Sequence, residues 1–316
     1  MTTTTSMDHD APLTIRPRCT EHAPLFLLAP IRSFSTVSLA LLGGHPDLYG
    51  FPEMLLFSVP DVAGLLTEQA RRPDLPRPWA RSRLTGVLRA VAELHERSQS
   101  PDAIARAEAW LGQRAEWPTV RLMDHLLDLV RPRTGLEKSP DSTHSDQALD
   151  ACITAYPNAR FIHLTRHPVT TQRSMHQHMR PRWADNGQSL IVRSASAWYL
   201  AHLRVAKRLA RMPSERWLRV RAEDLLRDPD HWIRQICEWL GLTCDAGIIG
   251  RMLRTEDWQF AGHGMSGDLG GGDAKFLRTP KLRTIPEPGP VIFDPAWGLH
   301  PEMTRRMTRL AAFLGY

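Results

Sequence analysis

Residues 25–29, Leu-Phe-Leu-Leu-Ala, form an unbroken apolar run of the kind expected for a strand covered on both faces, and Pro30 ends it. Hydroxyls follow at Ser33, Ser35 and Thr36, just where Val37, Leu39, Ala40 and Leu42 set up a helical pattern. A second buried strand is read at Phe161, Ile162, His163 and Leu164, and Pro168 is placed to open a helix running through Ser174. Trp198, Ala201, Val205 and Leu209 mark one face of a long helix, with Arg204, Lys207 and Arg208 on a solvated side. Leu218, Val220 and Ala222 alternate as a strand, and Ile233, Ile236, Trp239 and Leu240 give the next helix a core stripe. Between about 61 and 131, amphipathic stretches broken at Pro73, Pro76, Pro78, Pro101 and Pro118 predict a helical insertion. Gly262 to Lys275 holds six glycines and reads as a mobile loop of the kind that covers a charged ligand.

Two strand ends carry candidate chemistry. Arg32 sits in the loop between the first strand and a helix start, where unpaired backbone N–H groups and a cation suit a phosphate. The loop has no glycine between Pro24 and Leu42 and no lysine, so it is not the G-x-x-x-x-G-K-[ST] loop of nucleoside triphosphate enzymes. By itself it is equally an ordinary crossover with a capped helix. Arg166 ends the second strand, and Ser174 lies eight residues on, so both can face one ligand. Taken singly, they are also a strand-end arginine and an exposed helix serine.

Together the two segments resemble the sulfotransferases that use 3′-phosphoadenosine 5′-phosphosulfate (PAPS) as donor. Ile31, Arg32, Ser33, Phe34, Ser35 and Thr36 stand where that family has its 5′-phosphosulfate loop, commonly P-R-S-G-T-T. Arg166, His167, Pro168 and Ser174 match its R-x-P and serine motif for the 3′-phosphate. The resemblance continues through Gly44–Glu53, Glu137-Lys138-Ser139-Pro140 and Trp217–Leu242, and covers most of residues 24 to about 281. It implies an α/β, P-loop-NTPase-like three-layer fold: a small parallel sheet flanked by helices, in a single domain over 23–316 with the insertion. Three positions depart from the family. Phe34 replaces the loop glycine that lets backbone approach a phosphate, although right-handed helical geometry there would still present its N–H. Ala222 replaces a tyrosine associated with the adenine, and Ile31 replaces the loop proline. The run GHPDLYGFPE, the E-K-S-P segment, R-H-P and GDAKF are similar to bacterial sulfotransferases of natural-product pathways, especially domains that sulfate a β-hydroxyl of a carrier-bound polyketide.

Composition changes this little. Of 316 residues 42% are hydrophobic, ample for a core. Lysine occurs only at 138, 207, 275 and 281, so the net charge of +6 is carried by arginine; it is compatible with a polyanionic donor and shows no basic–aromatic block suited to nucleic acid. Cys19, Cys152, Cys237 and Cys244 have no metal-ligand spacing and read as reduced thiols of a cytoplasmic protein. Residues 1 to about 22 read as a disordered tail without a signal peptide, and Arg32 interrupts the longest apolar stretch before it could span a bilayer.

The reaction implied is sulfuryl transfer from PAPS to an acceptor hydroxyl of a small molecule, including one delivered by a carrier protein. Arg32 neutralises the departing phosphate, with Ser33, Phe34, Ser35 and Thr36 around the 5′-phosphate and Arg166, Ser174 and Lys275 completing the donor site. Lys138 is a second cation near the sulfuryl group, and no metal is required. Glu53 and His263 compete as general base, the first a carboxylate where some related sulfotransferases have a catalytic one, the second an imidazole in the glycine-rich loop. The alternative is a non-catalytic nucleotide- or partner-binding protein on the same scaffold, with a nucleotide kinase disfavoured by the missing lysine loop.

Overall fold

The computed structural model describes residues 22–71, 77–179, 190–262 and 270–316. Five parallel strands, β1 (Leu25–Leu28), β2 (Leu48–Gly50), β3 (Thr134–Glu137), β4 (Arg160–Thr165) and β5 (Trp217–Arg221), form one sheet in the order β2-β3-β1-β4-β5. All of β1 and five of the six residues of β4 are buried, as expected for strands covered on both faces. Leu25 pairs with Leu136 on one side and with Arg160 on the other, so β1 is the middle strand. The chain leaves β1 towards β2 and β3, then crosses to the other side with β4. The loops after β1 and β4 therefore diverge and leave a crevice at the carboxyl edge of the sheet, where α/β folds bind ligands.

Helix α1 (Ser35–Gly43) follows β1, and seven of its nine residues are buried. Between β2 and β3 lie α2 (Val62–Arg71), α3 (Arg77–Glu96), α4 (Pro101–Gly112) and α5 (Thr119–Val130). Ser100 caps α4 by accepting from Ala103 N–H, with Pro101 at its first position. The chain continues through α6 (Asp146–Ala155), α7 (Pro168–Met179) and α8 (Leu190–Leu209), then α9 (Ala222–Arg227), α10 (Pro229–Leu240), α11 (Ala246–Met252), α12 (Ala274–Arg278) and α13 (Pro301–Phe313). One large core joins the sheet to α1, α3, α5, α6 and α10, while a smaller cluster of Ala195, Trp198, Met307, Leu310, Ala311 and Leu314 seals α8 against α13.

Several expectations are corrected by packing. Ala222 does not extend β5; it starts α9, fully buried. Trp239 and Leu240 are only half-buried, and Cys237 instead joins Ile233 and Ile236 in the buried stripe of α10. The basic side of α8 is not simply solvated. Arg208 makes a bidentate pair with Asp150 of α6, both bonds 2.9 Å, and also reaches Asp146, while Arg204 bonds Asp146 and the His144 carbonyl. Cys152, Cys237 and Cys244 are free thiols. Cys19 and nearly all of the expected tail, and residues 263–269 of the glycine-rich loop with His263, lie outside the described residues. Among the described residues no helix is long and apolar enough to cross a membrane.

Candidate active site

The loop from β1 into α1 turns on two left-handed residues, Arg32 at φ 65° and Phe34 at φ 59°, ψ 17°. Phe34 therefore does not take the right-handed geometry in which a side-chain-bearing residue could still present its N–H. A phenylalanine here takes the backbone conformation that a glycine adopts without penalty, at a cost of roughly 1–2 kcal/mol. Its ring is used: the Arg166 guanidinium stacks on it at 3.8 Å from the centroid. Ser33 is fully buried and its Oγ has no partner among the described residues, an orphan hydroxyl at the mouth of a helix N-terminus.

Arg166 is fixed at the end of β4 from several directions. Nη1 donates to the Arg32 carbonyl at 2.6 Å, Nε and Nη2 reach Thr170 at 3.3 and 3.4 Å, and the Arg166 carbonyl accepts from Trp198 Nε1 at 2.9 Å. Burial lowers its pKa to about 10, so it stays charged at neutral pH. Ser174, two turns along α7, accepts from Arg32 Nε at 3.1 Å. The two halves of the site thus touch through Arg32. Beneath them Glu223 accepts from the His167 N–H at 2.8 Å and from the Tyr316 hydroxyl at 2.9 Å, holding the turn after Arg166 from below.

On the opposite wall Lys138, fully buried, donates to Thr36 Oγ1 at 3.1 Å and forms an ion pair with Glu53. Glu53 is held by its backbone, its N–H donating to the Gly271 carbonyl at 2.9 Å. Gly86 of α3 lies directly against it: a Cβ on Gly86 would come within 1.7 Å of the Glu53 carbonyl oxygen, so only glycine lets α3 approach. The part of the glycine-rich segment that is described, from 270 onward, is docked. Gly271 bonds Glu53, Asp273 N–H donates to Thr36 Oγ1 at 2.9 Å, and Asp273 pairs with Arg32 while capping α12.

These groups surround one cavity of about 640 Å³, lined by Arg32, Ser33, Phe34, Ser35, Thr36, Glu53, Arg166, Ser174 and Lys275 among the residues singled out from sequence. Lys138 reaches it through Glu53 and Thr36. Ala222 is not in its lining, whereas Leu226, one turn along α9, is. Sequence reasoning missed Asp273, Arg173, Lys281 and Arg283, which also line it. Only Asp273 carried a readable signal, an acidic residue ahead of Ala-Lys-Phe in the position of a helix cap. The lining holds six basic side chains against three carboxylates, which suits an anion; the orphan Ser33 hydroxyl and the start of α1 are unpaired donors fitted to its oxygens.

With this geometry in place, comparison with known proteins is decisive. Residues 24–246 match the model of the sulfotransferase family, and the chain belongs to that family. It is a sulfotransferase, of a family whose general donor is PAPS. No curated protein matches the chain. Among solved structures it is similar to the sulfotransferase domain from the curacin biosynthetic pathway, with a TM-score of 0.72 and 20% identity over 93% of this chain and 98% of that one. It is also similar to the sulfotransferase domain of the Synechococcus PCC 7002 olefin synthase, with a TM-score of 0.71 and 23% identity over 95% and 98%. At such identities the likeness is one of fold, the P-loop-NTPase-like α/β arrangement expected from sequence.

Proposed function

We propose that the cavity binds PAPS and that the chain transfers its sulfuryl group to a hydroxyl of a small-molecule acceptor in natural-product biosynthesis, free or delivered by a carrier protein. Residues 23–316 act as a single sulfotransferase domain, with the helices of 61–131 over the acceptor side. The observation that carries this reading is the convergence of Arg32, Arg166, Ser174 and the start of α1 on one cavity whose far wall holds the Glu53–Lys138 pair. The likeness to two sulfotransferase domains of the curacin pathway and an olefin synthase supports the acceptor class.

In this reading the acceptor oxygen attacks sulfur in line, an S–O bond forms, and the bond from sulfur to the bridging oxygen of the 5′-phosphate breaks. The products are a sulfate ester and 3′-phosphoadenosine 5′-phosphate (PAP), and the acceptor proton passes to Glu53. Arg32 leaves Asp273 to neutralise the charge that grows on the bridging oxygen, as preorganised cations do in phosphoryl transfer. Ser33, Ser35, Thr36 and the first N–H groups of α1 hold the 5′-phosphate. Arg166, Ser174 and Lys275 take the 3′-phosphate side, and the Phe34 ring keeps the Arg166 guanidinium in plane. Lys138 orients Glu53 and, from behind Glu53 and Thr36, is the second cation near the sulfuryl group. His263 is the competing base.

The test is calorimetric titration with PAP followed by single-turnover sulfation with bound PAPS. Glu53→Gln should keep PAP affinity and lose roughly 10²–10⁴-fold in the chemical step. A near-normal rate for Glu53→Gln beside a collapsed rate for His263→Asn would move the base to His263. Failure to bind PAP at all would leave only a scaffold function.

A further inference from the structure

Beside this site lies a carboxyl group that the reaction does not use. Glu137 closes β3 and is 1% exposed, with Lys138 next to it in sequence. Ser139 Oγ donates its proton to Glu137 Oε1. Ser139 Oγ itself accepts the N–H groups of Met54 at 3.1 Å and Leu55 at 2.9 Å. Backbone amides can only donate, so the hydroxyl must accept both and turn its single proton towards Glu137. Donor and acceptor capacity are then both spent, and the hydroxyl has one orientation. Glu53 immediately precedes the two clamped amides, and its own N–H is bonded to Gly271. Leu55 sits at φ 58°, a conformation that a leucine does not hold without restraint.

We propose that Glu137 is a positioning residue for the reaction: acting through Ser139, it locks the backbone of residues 53–55 and so fixes the Glu53 carboxylate against Lys138. The proposal rests on Glu53 being the base. Glu137 itself touches neither the cavity nor the reacting atoms. Its work is to hold the Ser139 proton so that the oxygen's lone pairs stay aimed at Met54 and Leu55. An apolar residue in its place would leave a buried hydroxyl proton unpaired and free to rotate away. The arrangement also explains why a carboxyl is buried here at the edge of the core, where its desolvation costs stability.

Amide hydrogen exchange and single-turnover sulfation, measured on the full chain, test it together. Ser139→Ala and Glu137→Leu should speed exchange at Met54 and Leu55 while Phe26 and Leu27 stay protected. The same variants should slow the chemical step by roughly 10²-fold with PAP affinity unchanged, the scale of loss expected for a small displacement of a catalytic group. Ser139→Thr and Glu137→Gln, which keep a hydroxyl and an acceptor oxygen, should recover most of both effects. In a Glu53→Gln background Ser139→Ala should add little, because both act through one group. Unchanged exchange at Met54 and Leu55, a rate loss without faster exchange, or full additivity with Glu53→Gln would each overturn the proposal. Should Glu53→Gln alone react at near-normal speed, the base assignment falls and takes the catalytic consequence with it; the exchange data still decide whether the clamp exists.

Discussion

At the scale of single residues the site is built on a conflict between backbone and side chain at Phe34. Its left-handed φ costs stability, and its ring regains some by stacking on a buried arginine. A double-mutant cycle of Phe34→Leu with Arg166→Lys, read by urea denaturation, should therefore give a coupling of about 0.5–2 kcal/mol. A coupling of zero would mean that the stack carries no energy. Arg166 also makes the sharper functional prediction. Arg166→Ala should remove a charge-assisted contact worth about 1.5–3 kcal/mol from PAP while sparing adenosine 5′-phosphate, which lacks the 3′-phosphate. Equal losses for both nucleotides by calorimetry would take Arg166 off the 3′-phosphate. The residues Arg32, Ser35, Thr36, Arg166 and Ser174 were readable because each stands at a fixed offset from a strand end or helix start. The conformation of Phe34 was not, since nothing local in the sequence favours a left-handed phenylalanine, and the arginine its ring stacks on comes from 132 residues away.

Among elements, those whose burial is set by their own pattern were legible. β1 is an apolar run closed by proline, β4 sets Phe161, Ile162 and Leu164 ahead of Arg166, and α8 shows its Trp198–Leu209 face as a helical stripe that the structure buries throughout. The role of the other side of α8 could not be read, because its partners come from α6, 58 residues earlier in the chain for both Arg204–Asp146 and Arg208–Asp150. Periodicity reports which face is polar and says nothing of what meets it. The α6–α8 pairs are partly exposed, yet the Arg208–Asp150 contact is bidentate and shares Arg208 with Asp146, the geometry in which a surface pair does contribute. Asp150→Asn should lower stability by about 0.5–1 kcal/mol at low salt, and by less in high salt as screening grows. A salt-independent loss would show that Asp150 acts by packing. Sulfotransferase activity should not change, since α6 contributes nothing to the cavity lining.

At the scale of the whole molecule, buried titratable groups set how the fold responds to acid. His163 on β4 and His202 on α8 are fully buried and bond each other, Nε2 to Nδ1, at 3.0 Å beside Trp198. Burial holds the His163 imidazole well below its ordinary pKa, helped by His202 and Arg219, and lowers His202 to about 3, again helped by Arg219. Both stay neutral in the fold while the unfolded chain takes up their protons near the ordinary histidine value. The stability they contribute is therefore whole above about pH 6.5 and is lost as pH falls below it, at up to about 1.4 kcal/mol per pH unit for each proton. Glu137 works in the other direction. Burial raises it from 4.5 to about 7, so its contribution is present at low pH and is lost as pH rises through about 7. In the window from about 4.5 to 6.5 the histidines make the fold weaker on acidification and Glu137 partly cancels them. Urea midpoints across this window should fall with pH in the wild type, fall more steeply in Glu137→Gln, and fall less steeply in His202→Gln. If Glu137→Gln leaves the slope unchanged, Glu137 is ionised alike in folded and unfolded chains. If His202→Gln leaves it unchanged, the buried pair is not what makes the fold sensitive to acid.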